Sequence, residues 1–294
     1  MTVMVTGASG VIGRAAVKAL LARDEVRATV RRDADAVFLR ELGAKVAVRD
    51  LDGPDDLVEI LPRCHTLVHL VGGFDQPDPD QLFRANHASV LTALEAARQA
   101  KTRRFVLLSV PGASPGATHP FLRAKGLAEE AVRLSGLQHA IVRTTHAYGL
   151  GGLWFTAAVE GALADPPFVV GRGDQELAPV YVDDVASLIA AIDDATGELA
   201  GTWGLEGPDV VTADAIARLL RGDDRPPTHA DGQAAAEALT RLLGVPVDAV
   251  AASFLGLPSR ADATDAATAF GVIRTPLLDG LRATLAAAAE IDTG

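Results

Sequence analysis

Three glycines carry the first chemistry legible in this chain. Gly7, Gly10 and Gly13, in "VTGASGVIGR", follow a short β-branched run and precede an apolar helical stripe of Val11, Ile12, Ala15, Ala16 and Ala19. In that setting Gly7 permits a tight turn, Gly10 lets the backbone approach a pyrophosphate, and Gly13 allows close helix–sheet packing. The helix N-terminus then faces the negative charge. The turn reads as a dinucleotide cradle of Gly7, Ser9, Gly10, Val11, Ile12 and Gly13. A second charged group stands at the end of the next apolar run, in "ATVRRD". Basic side chains there suit a ribose 2′-phosphate, whereas an acid suits the free hydroxyl. Arg31 and Arg32 therefore favour NADP(H) over NAD(H), a guanidinium offering several parallel donors to the phosphate. Asp33 keeps NAD(H) in play.

Such groups need a framework that gathers strand ends. Short apolar runs alternate with longer helical patterns through the first half, which predicts a parallel sheet with helices on both faces. The expected strands are Val3–Thr6, Val26–Val30, Lys45–Val48, Thr66–Val71, Arg104–Ser109 and Gln138–Arg143. Helices near Val11–Ala22, Ala34–Leu42, Pro54–Leu61, Asp80–Ala100 and Pro120–Ser135 lie between them. Together they predict an α/β, Rossmann-type doubly wound parallel sheet with a ligand crevice at the carboxyl ends of its strands. After Thr144 the rhythm breaks. Gly149, Gly151 and Gly152 precede a helix at Trp154–Leu163, and "PVYVDDVASLIAAI" reads as a strand entering a helix. Thr212 caps a helix at Ala213–Arg221, and Thr275 and Pro276 open the last one. Residues 1–145 and 178–200 are assigned to the dinucleotide-binding core, and 146–177 and 201–294 to a smaller C-terminal substrate lobe.

The glycine spacing behind Thr6, with "NHASVLTALEAARQAKTRRFVLLSV", "AIVRTTHAYG" and "PVYVDDVASLIAAI", resembles the extended and atypical short-chain dehydrogenase/reductase superfamily, most strongly its NmrA-like branch. The resemblance spans about residues 2–210. It implies that Asp50 and Leu51 border the adenine. It further implies that Val71, Gly72 and Gly73 pass beneath the central phosphates and ribose, and that Asn86 stands near the site. In Tyr-dependent members a phenol donates a proton to the substrate carbonyl as hydride arrives from nicotinamide. A lysine one helical turn later lowers the phenol pKa and holds the ribose. Here "HPFLRAK" keeps Lys125, and Ser109 matches the substrate-orienting serine, but Phe121 occupies the tyrosine position. A positioned general acid contributes about 10²- to 10⁴-fold, so the exchange alters the chemistry. His119 and Tyr148 join Ser109 and Lys125 as catalytic candidates; Phe121, His146, Trp154 and Phe155 are expected to line the substrate pocket.

Composition narrows the partners. With 294 residues, 49% of them hydrophobic, the chain can bury a large core. Its net charge of −11 and lack of basic runs argue against nucleic acid. The longest uncharged run, Phe105–Leu122, is broken by prolines, so no membrane span is expected. Cys64, the single cysteine, excludes an internal disulfide, and no basic leader precedes the first strand, which together suggest a cytoplasmic protein. His65, His69 and His87 show no metal-ligand spacing. A small-molecule substrate is expected, and the superfamily resemblance adds a homodimer. Three readings stay open: an NADPH-dependent reductase of a small apolar carbonyl, enone or quinone-like substrate; an NADP(H)-binding sensor or assembly protein without turnover; and a non-redox isomerase or cyclase using the retained pocket.

Overall fold

The computed structural model describes residues 1–51, 53–76 and 78–292, with side chains through 289. β1 (Thr2–Thr6) runs through the glycine turn into α1 (Val11–Leu21), followed by β2 (Glu25–Val30), α2 (Asp33–Glu41), β3 (Lys45–Val48), α3 (Pro54–Val58) and β4 (Thr66–His69). α4 (Pro79–Phe83) and α5 (Ser89–Gln99) are joined by a π turn over Arg84–Ala88; β5 (Arg104–Ser109), α6 (Pro120–Arg133) and β6 (Gln138–Thr144) come next. Then follow β7 (Ala147–Tyr148), α7 (Leu153–Leu163), β8 (Phe168–Val170), β9 (Glu176–Leu177), β10 (Val180–Tyr181), α8 (Val182–Asp194) and β11 (Ala200–Leu205). The remainder holds β12 (Val211–Thr212), α9 (Ala213–Arg221), β13 (Thr228–Ala230), α10 (Gly232–Leu243), α11 (Ala249–Leu255), β14 (Thr264–Asp265), α12 (Ala266–Phe270) and α13 (Leu277–Asp292).

Eight parallel strands form the main sheet in the order β14-β11-β6-β5-β4-β1-β2-β3. The doubly wound parallel fold expected from the sequence is present. Winding reverses between β1 and β4, which places a crevice at their carboxyl ends. Alternating strand residues feed opposite faces. Val3, Val5, Val106, Ala140 and Val142 pack under α1 and α8, while Met4, Phe105, Leu107 and Ile141 pack under α3, α5 and α6. Each such fully buried aliphatic or aromatic side chain stabilises the fold by about 1.5–3 kcal/mol.

Two sheet strands, β14 and β11 except its first residue Ala200, come from the stretch assigned above to the lobe. β11 reads "AGTWGL", whose glycines hide its strand character, yet it pairs with β6 from Ala200↔His139 to Leu205↔Thr144 and so satisfies an edge that would otherwise be bare. β4 ends at His69, short of Val71, because the backbone turns away at Gly72, whose φ is +126°. The long helix expected over Asp80–Ala100 is interrupted at Asn86. Its side-chain amide donates to the Leu82 carbonyl at 2.9 Å, four residues back, in competition with the backbone ladder.

Buried Arg104 closes the far end of α8, donating to the carbonyls of Ile192, Asp193 and Ala195 at 2.6–2.8 Å. A second core, with Tyr148, Phe155, Leu177, Ile216, Leu239 and Leu281, lies beyond the sheet ends. Thr212 caps α9 through the Ala215 amide, as its sequence suggests. At α13 the expected cap is replaced: the Leu277 amide donates to Asp209 Oδ2 at 2.7 Å, while Thr275 donates from N and Oγ1 to Asp184. Among the described residues no helix is long and apolar enough to cross a membrane.

Candidate functional site

Gly7 has φ +73°, and a Cβ there would stand 2.7 Å from the backbone of Leu70 and Val71. The turns after β1 and β4 therefore meet backbone to backbone, which only glycine allows. A Cβ on Gly13 would strike the Gly7 carbonyl, so α1 is seated directly on the turn. Gly10 is the N-cap of α1, extended and without a side-chain cap, leaving the first amides of an eleven-residue helix for an outside acceptor. An anionic pyrophosphate fits that donor set. Val11 and Ile12 line the same cleft, while Ser9 and Val71 are half-buried in the flanking turns.

The next layer is held by Asn86. Its Oδ1 accepts from the Gly73 amide at 3.1 Å and its Nδ2 donates to the Gly73 carbonyl at 2.8 Å, fixing that peptide from both sides. A Cβ on Gly72 would lie 2.5 Å from Asn86 Oδ1 and 3.2 Å from Lys125 Nζ. Lys125 is thus brought to the loop beneath the expected ribose. Its ammonium donates to the Leu108 carbonyl at 3.1 Å and sits 5.9 Å from the Phe121 ring centroid. Burial pulls its pKa down to about 8, opposed by the Glu129 carboxylate.

Ser109 is placed beside Lys125 but is fully buried, and its Oγ donates to Glu129 Oε1 at 2.6 Å. Glu129 is itself sealed. It accepts a two-pronged contact from Arg143, Nε at 2.8 Å and Nη2 at 2.7 Å, and a third contact from Arg133. Arg143 continues to Asp262, which also accepts the Gly112 amide. The serine proton expected at the substrate is therefore spent on an internal carboxylate.

A cleft of about 630 Å³ runs from the glycine turn past Lys125 to an aromatic wall. Phe121 is 2% exposed there, its ring edge-on to Phe254 at 4.7 Å and to Phe74 at 6.0 Å. His146 lies face to face with Trp154, centroids 5.2 Å apart and planes 15° apart, and meets Phe254 at 5.4 Å. Phe121, His146 and Trp154 all line the cleft, whereas Phe155 belongs to the second core.

Neither expected proton donor reaches this cleft. His119 packs on α11, its Nε2 near the Val250 carbonyl and Ser253 Oγ; as Ser253 already donates to Val250, Nε2 carries the proton. Tyr148 is 1% exposed in the second core, with its hydroxyl directed at the Leu277 carbonyl. Burial raises its pKa, making proton loss harder. His69 contacts Thr6 through Nδ1 and Ser89 through Nε2, and burial followed by the nearby Lys125 charge lowers its pKa to about 3.

The two strand-end arginines differ. Arg32 makes a paired contact with Asp35, Nε at 2.8 Å and Nη2 at 3.0 Å. Arg31 is exposed and makes no hydrogen bond among the described residues. Asp50 is exposed and Leu51 half-buried after β3. Phe74, Glu129, Phe254 and Asp262 were not anticipated. Phe74 adjoins Gly73 and Glu129 lies one turn after Lys125, so both had a local signal; Phe254 and Asp262 reach the cleft from distant segments that carry none.

Residues 7–150 match a family described as NAD(P)H-binding. A ceramide reductase of Caulobacter vibrioides is 31% identical over 64% of this chain and 60% of its own length. The photosystem II assembly factor Ycf39 of Cyanophora paradoxa is 29% identical over 49% of this chain and 44% of its own. NADH dehydrogenase [ubiquinone] 1 alpha subcomplex subunit 9 of Arabidopsis thaliana is 28% identical, with 74% and 56% covered. The chain thus spans between 44% and 60% of the length of these relatives. Among solved structures, the UDP-glucuronic acid 4-epimerase of Bacillus cereus, in complex with UDP-glucuronic acid and NAD, superimposes with a TM-score of 0.74. It shares 19% identity over 97% of this chain and 98% of its own, a likeness of fold. Glycine turn, parallel sheet and relatives agree: residues 7–150 form an NAD(P)H-binding domain, and the relatives are of the atypical, NmrA-like short-chain dehydrogenase/reductase type.

Proposed function

We propose that the chain is an NADPH-dependent reductase of a small, largely apolar carbonyl, enone or quinone-like substrate. The observation that carries this reading is the continuity of one cleft, from the α1 N-terminus past Lys125 to the wall of Phe74, Phe121, Phe254 and Trp154. When bound, a reduced nicotinamide supplies hydride. The chain's own residues do the rest: α1 amides hold the pyrophosphate, Lys125 holds ribose hydroxyls, Asn86 fixes the loop between them, and the aromatic wall excludes water from a flat apolar substrate. NADPH is preferred over NADH because Arg31 is exposed, makes no hydrogen bond among the described residues and is available to a 2′-phosphate. In this reading residues 146–177 and the part of 201–294 outside the main sheet close the substrate end. A cytoplasmic homodimer accompanies this reading.

Phe121 and the internal Ser109–Glu129 bond favour a second reading, an NADP(H)-binding assembly or sensor protein without turnover. Stopped-flow mixing of the NADPH-loaded protein with ketones, enones and quinones decides between them. Oxidation at 340 nm that saturates with one class supports the reductase. Tight NADPH binding with no oxidation across the panel overturns it in favour of the binding protein.

A further inference from the structure

We propose that His146 is the polar anchor of the substrate end of the cleft, donating an N–H hydrogen bond to the oxygen of an apolar carbonyl ligand. This rests on the apolar-carbonyl reading of the cleft and says which side chain takes the place left by the missing phenol.

Among the described residues four titratable side chains line the cleft: Lys125, His146, Arg260 and Asp262. Arg260 is held by Glu206 and Glu176, and Asp262 by Arg143 and the Gly112 amide. Lys125 stands at the cofactor loop, beside Gly72. His146 remains for the substrate. It is 7% exposed, and its Nε2 is sealed without a hydrogen-bond partner among the described residues. A buried donor left unmade costs more than an idle acceptor lone pair, so the ring proton belongs on Nδ1, the nitrogen that is not sealed.

The ring is also preorganised. Trp154 covers one face, Phe254 meets it nearly perpendicularly, and the His146 amide donates to Ser259 Oγ at 3.0 Å while its carbonyl accepts from Val180 at 3.0 Å. Burial holds the imidazole pKa down to about 3, so it stays neutral through the physiological range. A neutral imidazole polarises a carbonyl by hydrogen bonding without giving up its proton. The ligand class that follows is a flat hydrocarbon skeleton carrying one exposed carbonyl oxygen, its rings against Phe121 and Phe254.

The test uses the NADP⁺-loaded protein, which cannot reduce the probe, and a shape-matched pair: 1-tetralone, with a carbonyl, and tetralin, without one. Dissociation constants come from ligand-observed NMR titration. The wild-type protein is expected to prefer tetralone by about tenfold, one hydrogen bond's worth. His146→Phe abolishes that preference by weakening tetralone alone, and His146→Gln, which keeps a side-chain N–H, restores part of it. Equal loss for both probes in His146→Phe assigns the residue to packing and overturns the proposal, as does an unchanged preference. Failure of the wild-type protein to bind either probe overturns the apolar-carbonyl reading together with the anchor, whereas tetralone binding that ignores His146 overturns the anchor alone.

Discussion

Ser109 Oγ donates to Glu129 Oε1 at 2.6 Å, inside a pocket where neither group meets solvent. The serine that resembles a substrate-orienting residue is here the inner end of a chain of contacts running through Glu129 and Arg143 to Asp262. Ser109→Ala should therefore cost stability, about 1.5–3 kcal/mol for a hydrogen bond to a charged acceptor. Glu129→Ala, which strands Arg143, should cost about 3–5 kcal/mol. Chemical denaturation checks both; a Ser109→Ala protein of wild-type stability with a raised KM would return the serine to the substrate.

Asn86 holds the Gly73 peptide from both sides. Asn86→Ala should release the loop beneath the cofactor and weaken dinucleotide binding by about tenfold or more, with only a modest change in unfolding midpoint. Gly72→Ala should do the same through strain, since φ there is +126° and the new Cβ meets Asn86 Oδ1. Calorimetric titration with NADPH measures both; unchanged affinity in either variant refutes the clamp.

Lys125 gives a pH dependence of defined sign. Its folded-state pKa is lowered to about 8 by burial, so between there and its ordinary range the unfolded chain binds more protons than the native one. Stability supplied by this group is present at high pH and lost as pH falls through about 8. Lys125→Met should accordingly exceed wild type in stability at pH 7, by on the order of 3 kcal/mol, and converge with it above pH 10.5. Urea unfolding of both proteins at pH 7 and pH 10.5 checks the convergence, and a difference that is flat with pH disproves the assignment.

The strand-end arginines should separate in a cofactor titration. Arg31→Ala is expected to weaken NADPH about tenfold and leave NADH unchanged, because it removes one charge-assisted contact. Arg32→Ala should have a smaller effect, since that guanidinium already serves Asp35. Equal loss for NADPH and NADH would remove Arg31 from the 2′-phosphate.

Phe121 gives the sharpest test of turnover. Phe121→Tyr adds a phenol within the aromatic wall, near Lys125. Under the reductase reading, single-turnover NADPH oxidation should rise on the order of 10²-fold with a saturated ketone. No gain, with binding intact, favours the protein that binds without turning over.

Local pattern determined a good deal of this molecule. Gly7, Gly10 and Gly13 after a β-branched run, alternating apolar strands and the Phe121–Lys125 spacing are all short-range signals, and they specified the parallel sheet, the dinucleotide turn and the helix that carries Phe121 and Lys125. Hydrophobic periodicity and glycine stereochemistry act over a few residues, so one sequence exposes them. Tertiary structure decided what the polar side chains around the cleft are bonded to. Asp209 displaced the cap expected from Thr275, Asn86 broke a helix that periodicity drew as continuous, and β11 joined the sheet despite its glycines because β6 had an open edge. The same holds in the cleft. Ser109 and Tyr148 are spent on Glu129 and Leu277, His119 is committed to α11, and the His146 Nε2 makes no hydrogen bond among the described residues. The Ser109, Tyr148 and His119 bonds reach residues 20 to 131 positions away, and hydrogen bonds, unlike hydrophobic faces, are satisfied one atom at a time.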